Sequence, residues 1–414
     1  MLSPSAEKAL SMFLILIVGV LFRSKFEDAR ARAGLRTLIL SVALPASIFT
    51  SILGIKSDFD FVTPPLFAAA INLFFLGSIW VLVRFWFVDS TVQQKRSLMM
   101  IFPSLAPGLT AFPFIEDFLG TNGLAWAAMS DVGNKIFVLF GLYGLAVFWG
   151  QRASQGLINA DQFSIQDRIK SLLVALLSEP INISILLGFV LMTFGISLET
   201  LPQFIGDALS RIGGLTTGLI LLFVGLSFRF NFDELIEVMS VLFVRTGLGF
   251  LLSALILHLL PIDFENPLLY VVMPQCGCSL WPFLHMVKVD DQVRENLKKY
   301  GKEADTKEGV VFNTDYAMSL LTMSFPFSIG IVLFIFADPE PFQSSLDLVF
   351  VGMVFLMLHF LFKQAAKGHE IKKKHRVSPR HPSAPLPATS PTFQNLSVNE
   401  LSRRKFAETR PRRL

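Results

Sequence analysis

The chain has 414 residues, 52% hydrophobic and only 16% charged, with 42 phenylalanines and a mean hydropathy of +0.57. Soluble domains carry about 25% charged residues, so this composition excludes an ordinary soluble protein and points to a polytopic membrane protein. The net charge of +4 belongs to the C-terminal tail, because residues 363–414 hold 13 Lys and Arg against 3 Asp and Glu and the remainder is net acidic.

The first apolar run, about residues 9–22, lacks a small-residue cleavage site and is followed by Arg23, Lys25, Arg30, Arg32 and Arg36. It reads as a retained first span and not as a signal peptide. Further runs of about 17 to 25 residues fall near 37–54, 65–87, 97–118, 122–149, 180–195, 203–229, 235–260, 267–287, 311–337 and 346–362, giving eleven candidate spans. Basic residues concentrate in alternate loops: Arg23 to Arg36, then Arg84 to Arg96, Arg152 to Lys170, Lys288 to Lys307, and the tail. The intervening loops are acidic or neutral, with Lys56 as the exception. The positive-inside rule then places the amino terminus outside a cell membrane, plasma or inner, and the tail in the cytoplasm.

The fourth run carries the strongest signal. Between Phe102 and Gly120, Pro103, Pro107, Gly108 and Pro113 forbid one continuous helix, since proline removes a backbone donor and clashes with the preceding turn. Irregular backbone at membrane depth survives only where it is buried in protein or lines a wet cavity. The segment from Met273 to Val289 echoes it, with Thr110 to Phe114 aligning with Ser279 to Phe283. Paired interrupted spans in the two halves of a chain point to a transporter's binding site. One span after each break, Ser130 and Asp131 match Thr314 and Asp315 in order. With an odd number of spans per half, the halves have opposite topologies.

The expected fold class is therefore an all-α polytopic membrane protein with two inverted five-helix repeats, crossed broken helices in the fourth and ninth spans, and an extra eleventh C-terminal helix. The first repeat covers 1–150, a cytoplasmic linker 151–179, the second repeat 180–337, the extra helix 338–362 and a disordered basic tail 363–414. The eleventh span reads as a peripheral anchor. Lys372, Lys373, Lys374 and Arg376 suit anionic cytoplasmic lipid, and Ser397 with Glu400 fits a capping box.

Asp131, Asn134 and Lys135 fall inside the fifth span, with Asp131 and Lys135 spaced to meet on one helical face. Ionisable residues in a membrane default to function. Asn313 and Asp315 occupy the corresponding place in the tenth span; Lys135 would hold Asp131 charged, which leaves Asp315 as the expected proton carrier. Arg245 reads equally as an anion contact or a snorkelling arginine, and His285, just after Pro282, as a titratable neighbour of the site. Cys276 and Cys278 flank Gly277 as small buried packing residues. No phosphate loop, zinc pattern or nucleophile elbow is present; a shared-proton dyad of Asp131 and Asp315 is the one enzymatic alternative, and the paired breaks are not needed for it.

Four segments carry a family resemblance. Ala43 to Phe49 resembles an LPALIF-like second-span motif, and Ala106 to Pro113 a fourth-span NTGFLGLP pattern. Ser178 to Ile181 with Leu186 to Gly188 is similar to a sixth-span NPPI…LLG opening, and Leu222 to Ser227 to a seventh-span LLxIGLSL. In this order, across residues 10–337, they resemble the auxin efflux carrier family of membrane transport proteins, within a bile acid/sodium symporter-like superfamily. The resemblance implies ten core spans, with the first, second, sixth and seventh as a scaffold and the others as a moving transport domain. It also implies elevator-like alternating access and small organic anions, such as auxin-like acids or dicarboxylates, as substrates. Ala106 stands where the family has asparagine, and Pro107 and Ala111 also depart from its pattern.

The resulting expectation is a permease, a secondary transporter and not an enzyme, without cofactor, metal or nucleic acid partner. Pro107, Gly108, Thr110, Pro113, Gly277, Ser279 and Pro282 would bind substrate. Asp131, Asn134, Lys135, Asn313 and Asp315 would couple transport, with protons as the candidate ion and a homodimer as the candidate assembly in the lipid bilayer. A non-transporting ligand sensor and a sodium-coupled symporter are the alternatives.

Overall fold

A computed structural model describes residues 3–26, 28–55, 60–88, 90–153, 170, 172–174, 176–227, 232–259, 266–299 and 310–377. The linker residues 154–169, the insert at 300–309 and the tail from 378 onward, Ser397 and Glu400 included, lie outside them. The chain divides into a unit Met1–Lys367 and a unit Gly368–Leu414. Among the described residues all regular structure is helical, and the protein is an all-α polytopic membrane protein.

Among the described residues eight helical stretches are long and apolar enough to cross a bilayer, against eleven expected spans. The difference has a physical reason. Pro180–Thr193, the sixth span, is a single short apolar helix, while the fourth and ninth spans are each broken in two. One 42-residue stretch, Phe112–Ala153, joins the second half of the fourth span to the fifth. Gly120 divides it with φ 73° and ψ −167°, a left-handed conformation open to glycine and strained for any other residue.

Local chemistry sets the ends and irregularities. The first span, Pro4–Leu21, starts at Ser3, whose hydroxyl accepts from the Ala6 amide at 3.1 Å, with Pro4 in the first turn. The second span runs from Ala29–Leu38 through a π-turn at Ile39–Ala43 into Leu44–Leu53. The wide turn lies just ahead of Pro45, whose missing N–H and ring displace the ordinary ladder. The fourth span begins at Val92–Ile101 on a capping box, where Thr91 accepts from the Gln94 amide and Gln94 from that of Thr91. It halts at Ile101, with Phe102 still in helical geometry, because Pro103 has no N–H to continue the ladder.

Close approaches at small residues sort the helices. A Cβ on Gly225 of the seventh span (Gln203–Gly213 and Thr216–Ser227) would lie 2.3 Å from the Leu16 carbonyl oxygen of the first span. A Cβ on Gly188 of the sixth span would lie 2.8 Å from Ile52 of the second. The first, second, sixth and seventh spans thus pack on one another. Gly133 of the fifth span sits against Pro65 of the third (Thr63–Phe85), and Gly249 of the eighth (Phe232–Leu259) against Gln275 of the ninth. Glycine contacts of this kind allow backbones in a membrane to approach where apolar burial alone gives no driving force.

The eleventh span, Ser345–Val377, is longer than expected and continues into residues assigned to the tail. One side exposes Leu346, Phe350, Met353, Met357 and Leu361, as a lipid-facing stripe does. Its other side is held firmly. Gly352 meets Gly247 of the eighth span, and fully buried His359 stacks on Trp86 at 5.1 Å while its Nδ1 lies 2.7 Å from the Ser240 hydroxyl. Lys363 donates to the Trp86 carbonyl. This peripheral helix is docked to the third and eighth spans.

Candidate functional site

The two breaks meet. After Ile101 the fourth span is irregular through Ala106, turns through Pro107–Thr110 and restarts at Phe112. The ninth runs Pro267–Val272, a 3-10 turn Met273–Gln275, extended backbone from Cys276, and then Trp281–Lys299. Where they cross, the Ala106 amide donates to the Gly277 carbonyl at 2.7 Å. The Thr110 hydroxyl accepts from the Gly277 amide at 3.1 Å and donates to the Ala106 carbonyl at 2.8 Å. The Ser104 hydroxyl accepts from the Ser279 amide at 2.9 Å, and that of Ser324, on the tenth span (Thr314–Ala337), from the Cys278 amide at 3.0 Å. Backbone groups that no helix can pair, and that lipid cannot pair either, are thus satisfied across the crossing. Gly277 is required by proximity, since its Cβ would fall 3.0 Å from Thr110.

Two side chains pin this irregular backbone from neighbouring spans. Arg245, 2% exposed in the eighth span, donates from Nε to the Phe102 carbonyl at 2.9 Å, and from its terminal nitrogens to Cys276 at 2.6 Å and Ser104 at 3.0 Å. Its guanidinium lies 4.8 Å from the centroid of the Phe75 ring. Both broken spans therefore end on one guanidinium, and neither an anion contact nor a snorkelling arginine describes it. Asn134 grips Leu105 with both ends of its amide, accepting from the Leu105 amide at 3.1 Å and donating to the Leu105 carbonyl at 2.9 Å. The amide absent at Ala106 is in effect supplied from the fifth span.

Beside the crossing lies a cluster of charges. Lys135 Nζ is 2.9 Å from Asp131 Oδ2 and 2.8 Å from Glu179 Oε2, and donates to Asn182 Oδ1 at 3.2 Å. Asp131 also accepts from Asn134 at 2.9 Å, and Glu179 from Asn182 at 3.1 Å. The first pair is the predicted one, made by helical spacing; Glu179, at the start of the sixth span, is the partner that spacing does not reveal.

A cavity of about 100 Å³ joins these parts, lined by Pro107, Gly108, Asp131, Lys135, Glu179 and Ser279 among others. An apolar cavity of about 260 Å³ between Leu109, Phe223, Leu280, Met318 and Phe325 adjoins it, and a more open one of about 410 Å³ continues past Arg32 and Thr37. Arg36, on the second span, lines all three. It has no hydrogen-bond or ion-pair partner among the described residues. Sequence reading had counted it only as a loop charge; its place one helical turn beyond Arg32, on the span carrying the LPALIF-like motif, was the available signal.

Of the expected binding residues, Pro107, Gly108 and Ser279 line the cavity, while Thr110 and Gly277 hold the crossing together. Pro113 and Pro282 occupy the first turns of the restarted helices and do not line it. Of the coupling residues, Asp131, Asn134 and Lys135 line the cavity. Asn313 and Asp315 lie elsewhere. Asn313 caps the tenth span by accepting from the Tyr316 amide at 3.0 Å, its own backbone amide donates to the Ser97 hydroxyl and its carbonyl accepts from it, and Asp315 is exposed in the following turn. Asp131 and Asp315 are not brought together as a dyad. His285 is buried against Tyr143 at 5.1 Å, outside the cavity lining, and both cysteines are free and buried.

Crossed, interrupted spans with a charged cavity at their junction, in a membrane-embedded helical body, put a polar site at membrane depth. No family model matches the chain. An uncharacterized transporter of Methanocaldococcus jannaschii is similar to it, 24% identical over 196 residues, covering 47% of this chain and 58% of the relative. The chain thus matches a little over half of that relative's length. This likeness supports a membrane transporter, and the auxin efflux carrier family read from the motifs is not established by it.

Proposed function

We propose that the protein is a secondary transporter of small organic anions, in which the crossing of the fourth and ninth spans is the substrate site. The observation that carries this reading is the cavity shared by the two breaks, to which the fourth span brings the short turn Pro107–Thr110 and the ninth brings Ser279 and the helix start at Trp281. First-turn amides have no partner within their helix and the dipole there is positive, so both elements favour a carboxylate, and Arg36 stands over them. The first, second, sixth and seventh spans serve as a scaffold, against which the crossing moves to expose the cavity alternately on each side. The two halves are inverted repeats, with the amino terminus outside, and the more open cavity of about 410 Å³ past Arg32 leads toward the cytoplasm.

Reconstitution of the full chain into liposomes, with radiolabelled phenylacetate and succinate as monocarboxylate and dicarboxylate probes within a wider panel of organic anions, tests the reading. Gly108→Leu is the matched variant: a Cβ at Gly108 would already lie 3.4 Å from Leu44, and the added side chain fills a cavity of about 100 Å³. Uptake at least about tenfold below wild type with normal expression is expected. Wild-type uptake by this variant would move the site elsewhere, and no accumulation of any anion by the wild type would refute transport.

A further inference from the structure

The three acceptors around Lys135 are unequal, and the inequality has a functional reading that rests on the transport proposal. An ammonium has three hydrogens, and Asp131, Glu179 and Asn182 engage the nitrogen at 2.9, 2.8 and 3.2 Å. No donor is left for a substrate carboxylate unless one acceptor withdraws. Asp131 is fixed on the same helix as Lys135, has its other oxygen bound by Asn134, and is 7% exposed in its side chain. Glu179 comes from the opposite group of helices, across the cavity, and its side chain is 24% exposed. It precedes Pro180 at the start of the sixth span and makes no side-chain cap to the backbone of its own helix; within the sixth span its carboxylate is held by Asn182, which donates to Oε2 at 3.1 Å and is itself an acceptor for Lys135.

The charges make the same point. Asp131, Glu179, Lys135 and Arg36 sum to zero in the empty cavity, and they are the charged groups that face it among the described residues. A bound monocarboxylate leaves one uncompensated negative charge in a site of low dielectric, which is costly. Protonation of one carboxylate restores balance, and the group that loses its ammonium partner to the substrate is the one that takes the proton.

We infer that Glu179 is a built-in competitor for the substrate carboxylate at Lys135, and that its protonation and release admit the anion, which couples transport to one proton. In the empty, inward-open cavity Glu179 bridges the fifth and sixth spans through Lys135 and so holds the moving body to the scaffold. The incoming carboxylate meets Arg36 first and then replaces Glu179 on Lys135. Glu179 takes a proton from the side on which substrate enters and returns it to solvent on the other side, when substrate leaves and Lys135 is recaptured. This assigns coupling to Glu179, in the place where the sequence pointed to Asp315.

The test is the apparent KM for phenylacetate, or for whichever anion of the panel the wild type transports, measured from pH 5 to 8 in proteoliposomes of the full chain. Wild type should show a KM rising toward about tenfold per pH unit at the alkaline end, the limit for one proton, because only protonated Glu179 yields its place. Glu179→Gln should lower KM at pH 8 about tenfold and flatten the pH profile, and Glu179→Asp should keep the profile. A Glu179→Gln variant with wild-type KM and an intact profile overturns the inference and leaves the transport reading standing. A wild type that transports no anion overturns both. If Glu179→Gln fails to fold, Asp315→Asn decides: an unchanged profile supports Glu179, and a flattened one returns coupling to Asp315.

Discussion

Replacing Arg245 with methionine, which keeps most of the length and packing of the side chain, removes the guanidinium on which both broken spans end. Three buried carbonyls, of Phe102, Ser104 and Cys276, then lose their donors at 2.9, 3.0 and 2.6 Å. Hydrogen bonds between membrane helices average about 0.6 kcal/mol each, whereas bonds to a charged donor are worth about 1.5 kcal/mol or more. For three bonds the loss is therefore about 2 to 5 kcal/mol. Removing a buried charge recovers some desolvation, but the three carbonyls stay behind unpaired, which costs more than the bonds alone. Unfolding of the purified protein in detergent by heat or denaturant measures the difference. Lysine at this position keeps the charge but lacks the planar fork that reaches three acceptors, so Arg245→Lys should recover only part of the stability and should still transport poorly. A methionine variant within about 0.5 kcal/mol of wild type would falsify the claim that this guanidinium holds the crossing.

Two further outcomes follow from groups outside the cavity. Asp290, beyond the apolar part of the ninth span, is buried and accepts from the Val311 amide at 2.9 Å; burial pushes its carboxyl up to about 6, against the opposing effect of the Val311 and Phe312 amides and Arg294. A carboxyl raised in the folded state costs nothing while protonated and destabilises as pH rises from about 4 through 6. Asp290→Asn, which can still accept from Val311, should match wild type near pH 4.5 and unfold at higher temperature than wild type at pH 7.5; a difference independent of pH would refute this. Removing residues 378–414 should leave transport within about twofold of wild type, as for a carrier whose site is complete in the helical body, whereas a ligand sensor would lose its output.

What could be read in the sequence was whatever local rules govern. Proline acts on its own turn, so Pro103, Pro107 and Pro282 announced both breaks, and helical spacing joined Asp131 to Lys135. Arg245 was opaque because its acceptors are backbone carbonyls, which no residue type marks, supplied by two segments remote in the chain. Glu179 was hidden for a similar reason: it sits in a motif at a span start, and only folding brings it to Lys135. Asp315 shows the opposite failure. Matching it to Asp131 by span order fixed its place along the chain, but order says nothing about depth, and the cap made by Asn313 leaves Asp315 in an exposed first turn.

The crossing also explains why a cation so deeply buried as Arg245 stands beside the cavity without lining it. Each broken span presents a C-terminal end where it stops and an N-terminal end where it restarts, and these ends carry opposite partial charges. Arg245 takes the carbonyls of the stopping ends, at Phe102, Ser104 and Cys276, and so neutralises the negative side of the junction behind the cavity. The amides of the short turn Pro107–Thr110 and the helix start at Trp281 are left beside the cavity, which Arg36 also lines. Asp131 and Glu179 line it too and balance Lys135 and Arg36, so these donors favour an added carboxylate only once one of the two resident carboxylates is neutralised or displaced.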